Sequence, residues 1–306
     1  MITGSNGLLG QKIIYSLLRS GHSGIIACSK GENRILEKRG YKYSPLDISD
    51  RTAVQYLLNR EMPDVVINTA AMTNVDACET KRNECDAVNV TGVQNLVEEL
   101  EKLQSSFAVY KPHLIHLSTD FVFNGEAGPY REEDEPDPLS YYALSKWKAE
   151  EILKASRLKW SIARTIIIYG IVDNMSRSNV VLWAKDALSK GQKINVVDDQ
   201  FRSPTLAEDL AEGCLMIANK GAQGIFHLSG PETMSIKELV EKVAGFWHLD
   251  GSLINPIKSS SLNQAAKRPP RTGFILDKAK RILNYHPHSF LEGLKVLEDQ
   301  FKKHLN

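Results

Sequence analysis

The sequence predicts an α/β fold: a doubly wound parallel sheet with helices on both faces, followed by a smaller C-terminal lobe. Three observations lead there. A glycine-rich turn, Gly4-Ser-Asn-Gly7-Leu-Leu-Gly10, joins a strand-like Met1-Ile2-Thr3 to the helix-like Gln11-Lys-Ile-Ile-Tyr-Ser-Leu-Leu. Apolar strand-like runs then alternate with helical segments through about residue 170, the pattern of parallel strands with crossover helices. Beyond it, turn residues and charged helices break the rhythm. The chain therefore divides into residues 1–170, the sheet domain, and 171–306, mainly a substrate-binding lobe from which some segments return to the sheet. With 306 residues, 42% of them hydrophobic, it can bury a core of that size.

The glycine turn comes first. Without side chains its backbone can approach a pyrophosphate, and the following helix offers free N–H groups and a positive dipole end. Only Met1-Ile2-Thr3 precede Gly4, against the five or six residues of an ordinary strand. The central strand is thus expected to be clipped, through a truncated start or as a short strand in its own right, with a weaker hold on the ligand. Further strands are expected over residues 24–29, 64–68, 113–118 and 160–168. In such sheets ligands bind beyond the carboxyl ends of the strands, which is where the turn, Asn68, Thr119 and Tyr169-Gly170 fall. Residues 125–139, with three prolines and Arg131-Glu-Glu-Asp-Glu135, read as a solvated loop placed to wall the site. In the lobe, residues 194–197 and 224–229 are strand-like. Trp147 and Trp183 are expected to pack in the core.

The chemistry is carried by Tyr142-Ala-Leu-Ser-Lys146, preceded by Ser118-Thr119-Asp120. Four residues apart on a helix, a phenol and an ammonium share one face. A free tyrosine loses its proton near pH 10, and a nearby cation is expected to pull that value toward neutrality, suiting a proton donor for carbonyl chemistry. Alone, a Tyr and a Lys at this spacing are common on surface helices. The glycine turn, Ser-Thr-Asp and Tyr/Lys in this order are far more distinctive.

Taken together, these motifs resemble the short-chain dehydrogenase/reductase superfamily, which has a Rossmann-type fold, and specifically its extended branch acting on nucleotide sugars. The nearest likeness is to the dTDP-4-dehydrorhamnose reductase family. Its marks are Ser118-Thr119-Asp120-Phe-Val-Phe-Asn-Gly125, Asp198-Asp199-Gln200-Phe-Arg-Ser-Pro204-Thr205, Val88-Asn89-Val-Thr-Gly-Val-Gln-Asn95, and Arg268-Pro269-Pro270 followed by Leu276-Asp277-Lys278. The resemblance implies a nicotinamide cofactor on Gly4, Asn6, Gly7, Leu8, Leu9 and Gly10, with Asp47 and Ile48 at the adenine and Asn68, Ala70 and Ala71 lining the groove. Ser29, Lys30 and Arg34 end the second strand without an acidic residue for a ribose hydroxyl, which favours NADPH, with NADH as the alternative and Glu32 opposing.

The resemblance further implies hydride delivery to the C4 ketone of a 4-keto-6-deoxysugar joined to a nucleoside diphosphate. Tyr142 would donate the proton and Lys146 would hold the nicotinamide ribose. Thr119 would hydrogen-bond the carbonyl oxygen and Asp120 would orient Thr119. Thr73, Phe121, Asn179, Arg202 and Arg268 are expected on the substrate side, the arginines as phosphate partners or as structural ion pairs. Arg202 stands where related chains often have glycine, leaving the sugar open. No metal motif is matched, and a homodimer is allowed. A 4-epimerase or 4,6-dehydratase of the same branch is one alternative, although Phe121 stands where a dehydratase needs an acid. A non-catalytic subunit similar to methionine adenosyltransferase β is another.

A formal net charge of +1 gives no electrostatic footprint for nucleic acid or an anionic membrane. Cys28, Cys78, Cys85 and Cys214 are scattered, without zinc spacing, and are expected as reduced thiols. No apolar stretch approaches the roughly 20 residues of a spanning helix and no signal peptide precedes the turn, so a cytoplasmic location is expected.

Overall fold

The computed structural model describes residues 1–175 and 177–305. The apolar runs of the first half form β1 (Ile2–Thr3), β2 (Ile25–Ser29), β3 (Tyr41–Pro45), β4 (Val65–Asn68), β5 (His113–Thr119) and β6 (Lys159–Thr165). Between them lie α1 (Leu8–Arg19), α2 (Arg51–Glu61), α3 (Val75–Thr80), α4 (Arg82–Asp86), α5 (Gly92–Ser106) and α6 (Tyr141–Lys154). The second half adds β7 (Ile168–Tyr169), α7 (Val180–Ser189), β8 (Ile194–Val197), β9 (Phe201–Arg202), β10 (Thr205–Leu206) and α8 (Ala207–Lys220). It closes with β11 (Gly224–His227), β12 (Met234–Ser235), α9 (Ile236–Phe246), β13 (Ile254–Ile257) and α10 (Phe290–Leu305).

Seven strands make one parallel sheet in the order β11-β6-β5-β4-β1-β2-β3. Strand order reverses between β1 and β4, so the crevice that an open parallel sheet offers a ligand lies at their carboxyl ends. Although β1 has only two residues, it pairs on both sides, Thr3 standing opposite Cys28 and Asn68. Short length has not removed it from the centre. One face is covered by α1 and α8, through Leu9, Ile13, Ile14, Leu210 and Cys214. The other is covered by α2, α5 and α6, through Val54, Leu57, Val93, Leu96, Ala149 and Leu153. Strand β11 returns from the second half to extend the sheet beside β6. A separate core of α7, α9 and α10 fills the C-terminal lobe, and a small aromatic cluster of Phe123, Tyr130 and Phe274 joins the 123–130 loop to the chain near residue 274.

The helix that bears Tyr142 starts where its cap requires. Ser140 has extended backbone geometry and its hydroxyl accepts the Ala143 N–H, satisfying one of the orphan donors of the first turn. Ahead of α5 the chain makes a π-helical turn over Ala87–Thr91, where the sequence reads as plain helix; such wide turns recur at functional sites. Trp183 departs from expectation. It is 41% exposed, because α7 turns Val181, Ala184, Ala187 and Leu188 to the lobe core instead. All four cysteines are buried free thiols. No described helix is long and apolar enough to cross a membrane.

Three buried histidines oppose folding in acid, alongside the buried Met1 amine, lowered to about 6, and against Asp120, Glu132 and Asp209, whose values burial raises. Burial lowers His113 to about 4 and holds His116 and His227 well below the ordinary imidazole value. Unfolded, each binds a proton near pH 6.5, so in acid the unfolded chain holds more protons and stability falls as pH drops below that value. Each histidine is expected to add about 1.4 kcal/mol per pH unit to the slope once its unfolded form is protonated and until its folded form titrates. Urea unfolding at a series of pH values between roughly 7 and 5 measures the summed slope, and the histidine share is read from His227→Gln, which should flatten it by about one proton.

Candidate active site

The glycine turn is shaped by close contacts. Gly4 sits at φ +68°, and a Cβ there would come within 2.6 Å of the Ala70 nitrogen. At Gly10 a Cβ would lie 2.5 Å from the Gly4 carbonyl oxygen. Both positions therefore exclude a side chain so that α1 can pack on β1 and β4. Gly7 differs, its nearest neighbour being the Gly4 oxygen at 3.2 Å. The N-terminus of α1 has no side-chain cap and no acidic residue in its first turn, which leaves its N–H groups and dipole for an anion. Leu8 is half-buried, whereas Leu9 faces the core, so only the Leu9 backbone can serve a ligand.

Around the turn, Asn6 ties it to the loop after β2. Its amide donates to the Glu32 carbonyl at 2.7 Å and its oxygen accepts the Arg34 N–H at 2.9 Å. Lys30 lies 2.8 Å from Asp47, so the cation expected at a 2′-phosphate is shared with the carboxylate expected at the adenine; both are exposed enough for the pair to be cheap to break. Arg34 is exposed, Ser29 closes β2 and Ile48 is buried. Ala70 and Ala71 are half-buried after β4. Asn68 turns its side chain inward, accepting Thr3 Oγ1–H at 2.5 Å and facing His116 Nδ1 at 3.0 Å. It orders the floor instead of lining the groove.

Thr119 ends β5, and Tyr142 and Lys146 lie one turn apart on α6. Thr119 Oγ1 donates to Asp120 Oδ1 at 3.1 Å and accepts the Phe121 N–H at 3.2 Å. The Phe121 ring meets Tyr142 edge-on at 6.2 Å. Lys146, 3% exposed, places Nζ 3.0 Å from His116 Nε2. The expectation that Lys146 lowers the phenol is overturned. Burial pushes Tyr142 well above the ordinary tyrosine value, opposed by the Thr119 hydroxyl and reinforced by the Asp120 carboxylate. Burial also brings Lys146 down to about 8, a weaker cation than an exposed lysine. Desolvation dominates at both groups, and the phenol stays protonated at neutral pH.

On the remaining side, Arg202 is buried. It donates to the carbonyls of Pro269 and Phe201, each at 2.7 Å, and approaches Asp120 at 3.8 Å. That makes it a brace between the site and the 269–270 segment. Arg268 pairs with Asp76 of α3 at 2.7 and 3.2 Å, so its guanidinium is already matched by a carboxylate. Asn179 caps α7, accepting the Leu182 N–H at 3.2 Å and donating to the Gly170 carbonyl at 2.8 Å. Thr73 is exposed and within 3.4 Å of Arg177.

The RmlD substrate binding domain model matches residues 1–303. The chain belongs to that family. A probable low-salt glycan biosynthesis reductase of Haloferax volcanii is 29% identical over 98% of this chain and 97% of its own. The methionine adenosyltransferase 2 subunit beta of Mus musculus is 28% identical over 96% of this chain and 85% of its own. Among solved structures, a dTDP-4-dehydrorhamnose reductase from Bacillus anthracis in complex with NADP superposes with a TM-score of 0.80 at 25% identity, covering 98% of both chains.

Residues that sequence reading missed in this RmlD-family chain are interior supports. His116 joins Asn68 to Lys146. Thr272 hydrogen-bonds the other oxygen of Asp120. Asn89, in the π-helical turn, donates to Ser145 at 3.0 Å and pairs with the Met72 backbone. Gln11 exchanges two hydrogen bonds, at 2.9 and 3.0 Å, with the backbone of Asp173 and so fastens the segment after β7 to α1. Asn89 lies within the quoted 88–95 motif without a role having been read for it; for His116 and Gln11, only their polarity within apolar runs could have drawn attention.

The glycine geometry predicts unequal effects. Gly4→Ala and Gly10→Ala should each cost about 2 kcal/mol through backbone collision and weaken dinucleotide binding, whereas Gly7→Ala should cost less. Thermal unfolding and fluorescence titration with NADPH check this order.

Proposed function

We propose that the chain is an NADPH-dependent reductase of the C4 ketone of a nucleotide-linked 4-keto-6-deoxysugar, similar to dTDP-4-dehydrorhamnose reductase. The observation carrying this reading is Thr119, Tyr142 and Lys146 gathered at the switch-point end of the sheet, beside a glycine turn whose contacts leave backbone alone facing the ligand. Gly4 and Gly10, Asn6 and the uncapped start of α1 fit a pyrophosphate; Lys30 and Arg34 support the phosphorylated cofactor, as does the NADP bound to the Bacillus anthracis enzyme.

Bound reduced nicotinamide supplies the hydride. The residues of the chain do the rest. Thr119, its oxygen held by the Phe121 N–H, turns its one proton from Asp120 to the carbonyl oxygen where negative charge develops. Tyr142, kept protonated by burial, is in the form a reduction consumes, and it donates the proton as the alkoxide appears. Phe121 and the 125–139 segment exclude water from that side. Arg268 leaves Asp76 for the diphosphate, and the partly exposed pair is cheap to break.

Tyr142→Phe should reduce turnover by roughly 10²–10⁴ while leaving NADPH affinity unchanged, followed as NADPH oxidation with dTDP-4-dehydro-6-deoxy-L-mannose. Undiminished turnover in the variant would remove Tyr142 as the acid. Arg268→Met should raise KM for the sugar nucleotide about ten-fold or more with little change in kcat, the loss of a charge-assisted bond. Asp76→Asn should leave KM near its original value; a KM unmoved by Arg268→Met assigns that pair a purely structural role. The mouse subunit beta relative supports a second reading, a regulatory subunit. Absence of turnover in a protein that binds NADPH and retains a methionine adenosyltransferase on an affinity column would favour it.

A further inference from the structure

We propose that His116 is a positioning residue for Lys146: its Nε2–H faces the lysine and favours the neutral amine over the ammonium, through a hydrogen-bond chain that starts at Thr3. This deepens the reading above and depends on it only for the role of Lys146.

The chain of groups follows from sheet register. Thr3 stands opposite Asn68, and Asn68 opposite His116, on the neighbouring strands β1, β4 and β5. Residues in register on adjacent parallel strands project from the same face, and here that face is the one α6 covers. Thr3, Asn68 and His116 are each 1% exposed, so water does not complete their bonding and each donor must find an acceptor among the others.

The distances decide which way the protons point. Thr3 Oγ1 lies 2.5 Å from one terminal atom of Asn68, within the O–H···O range and too short for an N–H···O bond. The Ala70 N–H points to the same atom at 3.3 Å. Both contacts identify it as the amide oxygen. The amide nitrogen is therefore the atom 3.0 Å from His116 Nδ1, and Nδ1 must accept. A neutral imidazole with Nδ1 accepting carries its hydrogen on Nε2. That hydrogen faces Lys146 Nζ at 3.0 Å. An ammonium has three donors and no acceptor, so it would oppose the Nε2–H; the lone pair of a neutral amine accepts it.

The surrounding charges do not override this. Glu150, one turn along α6, is engaged by the Arg164 fork of β6 at 2.7 and 2.9 Å. Cys85 of α4 presents a thiol that bonds Ser145 and Asn89. Asp120 and Cys78 act on Tyr142. Burial acts in the same direction on both partners: it brings Lys146 to about 8, so that the amine forms at a lower pH than in an exposed lysine, and it holds His116 far below its ordinary range. When Nζ takes a proton from solvent, the Nε2–H···Nζ bond is lost and the new ammonium must turn to an oxygen, which the Tyr142 hydroxyl or a bound ribose can supply.

The test reads ligand-free protein and so is independent of substrate. Nitrogen NMR of ¹⁵N-histidine protein, with His116 assigned by its loss in His116→Gln, should show the Nε2–H tautomer. The Nδ1–H tautomer or an imidazolium would overturn the proposal; should His116→Gln not fold, the conservative variant Asn68→Asp, which changes the partner of Nδ1, identifies the signal by its shift. In lysine-labelled protein, with Lys146 assigned by Lys146→Met, its side-chain signal should titrate below the exposed lysines. His116→Gln offers an amide oxygen to the ammonium and should move that midpoint up by about one unit or more. An unmoved midpoint in a folded variant would mean that burial alone sets the lysine, and the role assigned to His116 would fall.

Discussion

Arg164 and Glu150 meet as a two-bonded fork between β6 and α6, at 2.9 and 2.7 Å, with 1% and 0% of their side chains exposed. Much else depends on that contact. It sets the position of α6, hence of Tyr142 and Lys146, against the sheet that carries Thr119. The guanidinium also lies beneath the Phe123 ring at 5.0 Å, which anchors the start of the loop walling the site. Such a pair is not a large net source of stability, since two ions lost their water to form it, but removing one partner strands the other at a cost of about 3–5 kcal/mol. Its value is positional: α6 has one seating in which both charges are satisfied.

The same desolvation sets the chemistry of the groups above it. A phenol and an ammonium one helical turn apart suggest mutual ionisation when only their spacing is known. In the fold the loss of hydration is the largest influence on each. Tyr142 becomes a harder acid and Lys146 a softer cation. Function then depends on what a ligand restores to the site.

What the sequence conveyed about the site was local. A glycine turn, Ser-Thr-Asp and a Tyr/Lys pair announce themselves because each functions within a few residues of chain. The strands were legible for a related reason: buried parallel strands read as unbroken apolar runs. That same continuity hid His116, since a strand covered on both faces has no alternation to show which way a polar residue points. Arg268 and Asp76 are 192 residues apart, a separation that no spacing rule spans. Asn179 is a different kind of miss. An asparagine before an apolar helical run is a common helix cap, and its capping role was available from the sequence beside the ligand role given to it.

Strand β11, from the second half of the chain, carries one consequence for how the molecule is divided. It lies beside β6 in full register, Gly224 to His227 against Ser161 to Arg164, and Arg164 is the residue that seats α6. An apparent boundary at residue 170 is therefore no seam. A piece ending there would expose β6 as an unpaired edge, of the kind that invites other strands, and would uncover the ion pair that needs its dry surroundings. The first half of the chain takes the last strand of its sheet from the second half, so a piece ending at residue 170 lacks part of its own sheet.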